Sequence, residues 1–104
     1  MKVKHVPNLN HKILDFPTLY KKSSKGKIEQ WHVKVEWGLY YPTIYLKYGE
    51  VGGKLQTKSN EVKVGLNIGK KNETTNVEQA VKEATAKWNK QRNKGYVESI
   101  EEIS

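Results

Sequence analysis

The sequence predicts a small α+β fold: a small antiparallel β-sheet, a meander of four to five strands, with one C-terminal helix packed on it. Three stretches carry that prediction. Ile28 to Trp37 alternates, with Trp31, Val33, Val35 and Trp37 on one face and His32, Lys34 and Glu36 on the other. Tyr45 to Thr57 reads as a strand, a turn punctuated by Gly49, Gly52 and Gly53, and a second strand. From Thr75 onward, apolar residues recur with a helical period behind a capping signal.

Taken in order, residues 1–16 show no clean period. Pro7, Asn8, Asn10 and Pro17 surround Leu9, Ile13 and Leu14. An extended arm is expected, with a short turn of helix over Lys12 to Asp15 whose order depends on docking. His5 and His11 lie in this arm, and the only other histidine is His32. That set is too sparse for a metal site, so solvated histidines are expected. Thr18 to Lys22 reads as the first strand, and Ser23-Ser24-Lys25-Gly26 as a loop of small and polar residues. Ile28 to Trp37 is the second strand, its tryptophans packed into the core.

Gly38 turns the chain. Tyr40 and Tyr41 before Pro42 suit a strand start or a sheet edge. Thr43 to Tyr48 and Lys54 to Ser59 follow as strands, and the short loops require antiparallel neighbours. In Asn60 to Gly69, Val62, Val64, Leu66 and Ile68 alternate with Lys63, Gly65 and Asn67. This is a fifth strand, or the fourth continued past a bulge. Gly69 to Thr74 is then a polar, basic loop.

The helix opens with Thr75 as N-cap and Glu78 completing a capping box. Val77, Ala80, Val81, Ala84 and Trp88 form one narrow apolar stripe. Glu78 with Lys82, and Glu83 with Lys87, are i,i+4 pairs in the favourable order. Lys90, Arg92 and Lys94 complement the dipole at the C-terminal end, and Gly95 is the expected stop. Residues 97–104 form an acidic tail with Glu98, Glu101 and Glu102.

The charge points to a partner. Lysine and arginine number 19 against 11 acidic residues, a net charge of +8, and Arg92 is the only arginine. A pI of about 9.6 favours a polyanion, nucleic acid before membrane. Lysine serves phosphates as a point charge, whereas arginine is the better reader of guanine edges, so backbone binding is expected. Mean hydropathy is −0.82. No run approaches the about 18 apolar residues of a membrane span, no signal-peptide core is present, and cysteine is absent. A cytoplasmic protein without membrane association is expected.

Signs of catalysis are lacking. Asp15 is the only aspartate, and most glutamates sit beside lysines or in the tail. No carboxylate pair suits acid–base or two-metal work, and no phosphate-loop motif precedes a helix. The expectation is a non-enzymatic protein with no cofactor.

Several segments, in order, resemble a known family. They are Leu19 to Lys22 through Gly26-Lys27, Trp31 to Val35, Tyr48 to Leu55, Gly69 to Thr75 with Glu78-Gln79-Ala80, Lys87-Trp88 and Lys94-Gly95-Tyr96. Together they look like the WGR-like module at the N-terminus of bacteriophage DNA ligases, which is related to the WGR domain of poly(ADP-ribose) polymerases. The resemblance covers about Phe16 to Tyr96, hence a WGR-like domain over 17–96. It implies a small antiparallel sheet with a packed helix, whose Trp-Gly-Arg turn leans on DNA near a strand end or break. Tyr48, Gly49 and Glu50 stand at the matching positions. Tyrosine can stack, while glutamate in place of arginine removes a phosphate contact and adds repulsion. The Lys-x-Asp-Gly motif of ligase adenylation is absent, so no ligase activity carries over.

These readings lead to a non-catalytic DNA-binding module that contacts the duplex backbone. Ends and nicks are among its candidate targets, and it would be accessory to a DNA ligase or another DNA-processing enzyme. Candidate contacts are Lys47, Lys54, Lys70, Lys71, Lys90 and Arg92, with Tyr48 stacking. The alternative is a phage-type interaction or inhibitor protein that uses the Tyr40-Tyr41-Pro42 edge and the N-terminal arm. RNA binding by stacking on the sheet would need exposed aromatic rings, whereas the tryptophans are expected inside.

Overall fold

β3 (Ile28–Trp37) is the strand on which the other elements are assembled. The computed structural model describes residues 12–38, 41–63 and 75–103. Within them, β1 (Lys12–Asp15) and β2 (Leu19–Lys22) share one edge of β3; β4 (Thr43–Glu50) lies on the other edge, followed by β5 (Gln56–Glu61). All pairings are antiparallel. The helix α1 (Asn76–Asn93) packs against β3 and β4, giving the expected small α+β fold.

The edge formed by β1 and β2 is one strand path interrupted at Phe16-Pro17-Thr18. Asp15 pairs with Lys34 and Leu19 with Trp31, so three residues stand opposite two. The extra residue makes a bulge, at a proline that has no N–H to give a ladder. It also restores facing. Leu14 lies opposite Val35 and Leu19 opposite Trp31, although their odd separation would put them on opposite faces of an unbroken strand.

Lys12–Asp15 is therefore a strand and not the expected turn of helix. One isolated helical turn is unfavourable, whereas β3 offers these residues a ladder. The arm expected over residues 1–16 thus ends inside the sheet; residues 1–11 lie outside the described residues. β2 begins at Leu19, one residue later than expected. β5 runs from Gln56 to Glu61, absorbing Asn60 and Glu61 from the ambiguous stretch. The rest of that alternation, Val64 to Ile68, lies outside the described residues, as does the expected loop over Gly69 to Thr74.

Leu19, Val33 and Val35 are 0% exposed and Ile44 2%, and they cluster with Trp31, Val62, Ala80 and Ala84. Burying each of the larger aliphatic chains contributes about 1.5–3 kcal/mol. Ala80 and Ala84 let the helix backbone come close to the sheet. Thr75 Oγ1 accepts from the Glu78 amide at 3.0 Å, and Glu78 Oε1 accepts from the Thr75 amide at 2.8 Å, completing the capping box. Trp88 ties the helix to the bulge: its Nε1 donates to the Pro17 carbonyl at 2.9 Å, and its ring lies 6.3 Å from that of Phe16.

Gly95 has φ 103° and its amide donates to the Arg92 carbonyl at 3.0 Å, ending the helix. The acidic segment begins with a bridge between Val97 and Tyr20, whose amides donate to each other's carbonyls at 2.8 and 2.7 Å. A 3-10 turn at Ile100–Glu102 follows. Among the described residues no helix is long and apolar enough to cross a membrane.

Candidate functional site

In an antiparallel meander, alternate connections emerge at the same end of the sheet. The β2–β3 loop and the β4–β5 turn therefore lie together here, and α1 brings its C-terminus beside them. These three pieces frame a cleft of about 570 Å³. Its lining includes Lys21, Lys22, Ser23 and Ser24 from β2 and its loop. Glu29, Gln30 and Trp31 come from β3, Tyr48 and Gly49 from β4, and Gln91, Lys94 and Tyr96 from the helix end.

Each wall has a local cause. The Gly26 amide donates to the Ser23 carbonyl at 2.9 Å, and the Ser23 amide to the Lys27 carbonyl at 2.7 Å, closing the β2–β3 loop. The β4–β5 turn is fastened to β3 by the Val51 amide donating to the Ile28 carbonyl at 2.9 Å. Gly49, at φ 148°, admits the returning chain: a Cβ there would meet the Lys54 carbonyl oxygen at 3.0 Å. Lys27 and Glu50 pair at 3.5 Å across the two connections.

The electrostatics of the helix end are adjusted by two cations. A helix C-terminus presents carbonyl oxygens that repel anions. Lys21 Nζ donates to the Lys94 carbonyl at 2.6 Å, and Arg92 Nη1 to the Tyr96 carbonyl at 3.3 Å. Arg92 also lies over the Trp88 ring, 5.8 Å from its centroid. Lys22 and Lys94, both exposed, form no ion pair among the described residues. Tyr96 is held above the ordinary phenol value, first by burial and then by the negative charge of Glu29.

Of the residues expected to contact DNA, Tyr48 lines the cleft, and Lys54, Lys90 and Arg92 lie at the same end in the turn and the last helical turn. The Tyr48 ring is half-buried; its hydroxyl is 3.4 Å from Gln56 Oε1, and Lys58 Nζ lies 5.8 Å from the ring centroid. Lys47 points to the other face of the sheet, as strand alternation requires of a neighbour of Tyr48. Lys70 and Lys71 lie outside the described residues. Lys21, Lys22, Lys94 and Tyr96 were not among the expected contacts. The signal for the first two was present: meander connectivity puts their loop at the same end as the Tyr48 bend.

The sheet face away from the helix carries a smaller hollow of about 210 Å³, lined by His32, Lys34, Tyr45, Lys47 and Thr57 among others. Two of its polar groups are paired. His32 Nε2 meets Asp15 Oδ1, Lys34 meets Glu36 at 2.9 Å, and Lys34 Nζ lies 5.4 Å from the Tyr45 ring centroid. The hydrogen bond to Glu36 raises Lys34 above the ordinary lysine value, although burial works against it. No protein-family model matches the chain, and no curated protein matches it.

Proposed function

We propose that this chain is a non-catalytic DNA-binding module that grips the phosphate backbone with the cleft end of its sheet. The observation that carries the reading is the gathering of lysines there. Lys21, Lys22 and Lys94 line a cleft that has one carboxylate among the described residues, Glu29, and Lys25, Lys27, Lys54 and Lys90 belong to the same loops and helix end. Point charges on flexible stems suit phosphates without reading bases. The WGR-like order of the sequence motifs supports the same reading, with Tyr48-Gly49 at the cleft. A role as accessory to a DNA ligase or another DNA-processing enzyme follows from that resemblance, and the cysteine-free composition supports a cytoplasmic location.

The test is a titration of the chain with a labelled duplex at several salt concentrations. The logarithm of affinity falls linearly with the logarithm of salt concentration, with a slope set by the number of phosphates neutralised. A salt-independent response, or no binding at the lowest salt, removes the proposal.

A second reading, a protein-interaction role, is favoured by apolar groups left in water: Ile13 is 53% exposed and Tyr41 50%. It requires a protein partner retained at high salt after nuclease treatment, and displaced by Ile13→Lys with Tyr41→Lys.

A further inference from the structure

Backbone binding explains the lysines of the cleft but not its floor. Three aromatic residues, Trp31, Tyr48 and Tyr96, line one polar cleft together with a carboxylate, Glu29. Trp31 is 7% exposed and belongs to the core, which leaves the half-buried rings of Tyr48 and Tyr96; Lys58 Nζ lies 5.8 Å from the centroid of the first and Lys21 Nζ 5.8 Å from that of the second, so a base would share each ring with a cation or displace it. A paired base inside a duplex shows only its edges in the grooves; its faces are covered by its neighbours. Aromatic faces in a cleft can stack only on a base that has left the pair. Glu29 points the same way. A carboxylate repels a phosphate, but it accepts a hydrogen bond from the exocyclic amino group of a base. The volume of about 570 Å³ falls in the range of about 300–1,000 Å³ that holds small ligands.

We infer that the cleft receives one unpaired nucleotide of a DNA strand, its base against Tyr48 and Tyr96 and its phosphate on Lys22 and Lys94. This rests on the DNA-binding reading above and adds a preference for a junction between paired and unpaired DNA. The base lies toward Glu29, which favours bases that carry an amino group. The phosphate stays at the rim, where the lysines offset the carboxylate.

The experiment compares four ligands by fluorescence anisotropy: a blunt hairpin duplex, the same duplex with a short cytosine overhang, the same duplex with an abasic overhang of equal length, and deoxycytidine monophosphate alone. The abasic overhang carries the same phosphates and no base. The base-bearing overhang is expected to bind about tenfold more tightly than the abasic one, within the range of stacking one base on an aromatic ring. Tyr96→Leu brings that ratio close to one. Because Tyr96 also packs at the core margin, the unsubstituted protein provides a second readout. The ring protons of Tyr48 and Tyr96 move upfield in nuclear magnetic resonance spectra with the base-bearing overhang and not with the abasic one. Equal affinity for the two overhangs overturns the inference and leaves the duplex reading standing. The free nucleotide binding as tightly as the overhang also overturns it, since the ligand would then be a mononucleotide. Failure to bind any of the DNAs removes the DNA-binding reading itself.

Discussion

The two halves of β3 share one alternating pattern and meet different surroundings. From Val33 to Val35 the inward side chains are wholly buried, with Ile44 across the ladder and the alanines of α1 in the same cluster. From Glu29 to Trp31 the helix has reached its C-terminus. Gln91, Lys94 and Tyr96 stand beside the strand there, and the space left is the cleft. What separates core from site is thus the reach of the helix rather than the strand's own periodicity. Tyr48 and Ile44 illustrate this on β4, where they face the same way at opposite ends of one strand.

The largest expected effect breaks the comparison at its buried half. Ile44→Ala removes most of a side chain that is 2% exposed, and such truncations cost about 2–5 kcal/mol. Urea denaturation measures the loss, and the molecules that remain folded are expected to keep the salt dependence of DNA binding. A loss below about 1 kcal/mol would mean that the core collapses around the gap more readily than a close-packed interior allows.

The next effect separates the halves from the other side. Lys22→Glu with Lys94→Glu reverses two exposed charges at the cleft and touches no buried group. Stability is expected to stay within about 0.5 kcal/mol. Affinity for duplex is expected to fall at least about tenfold, and the salt slope to shrink by about two, one for each phosphate contact. Lys47→Glu, on the other face, is expected to leave the salt slope unchanged, whereas a phosphate contact there would shrink it by about one. Anisotropy titrations of the two proteins on one duplex decide between the faces.

Much of this division can be read in the sequence, and the part that cannot has a physical reason. Alternation located the buried face of β3, and the Thr75–Glu78 signal located the helix start, because both depend on residues near in sequence. Strand period alone separates Lys47 from Tyr48. The edge strand at Lys12–Asp15 escaped because four residues with no strong propensity take their conformation from the ladder that β3 offers. The cleft escaped because it depends on where the helix end arrives, which follows from the Trp88–Pro17 and Lys21–Lys94 contacts across more than half the chain. The contacts of Lys21 with the helix-capping Lys94 carbonyl and of Arg92 with the Tyr96 carbonyl past the helix are of the same kind: the charge is visible in the sequence, the carbonyl it reaches is not.

A smaller effect sharpens that point. Trp88→Phe keeps an aromatic ring near Phe16 but removes the donor to the Pro17 carbonyl. The expected cost is about 1 kcal/mol, the net worth of one hydrogen bond. Since this bond helps place the helix end, the amide resonances of Gln91, Lys94 and Tyr96 are expected to shift more than those of Ala80 and Ala84. Equal shifts along α1 would show that the helix is positioned by its alanine contacts alone.

The smallest effect is a titration inside the cleft. Tyr96 ionises above its ordinary value of 10.0, mainly because burial disfavours the phenolate and secondly because Glu29 adds a negative charge. The native protein therefore holds this proton more tightly than the unfolded chain does. The stability linked to it is fully present below about pH 10, and is lost as pH rises from there through the folded value. Tyr96→Phe removes this component, so the two proteins are expected to differ in the pH dependence of stability only in that alkaline window. Glu29→Gln is expected to lower the Tyr96 midpoint, followed by ultraviolet absorbance, while leaving it above 10.0, because burial is the larger cause. A midpoint that falls to the ordinary value in Glu29→Gln would make the carboxylate the main influence on the ring. The aromatic wall would then be open to water, and the two halves of β3 would differ in charge more than in burial.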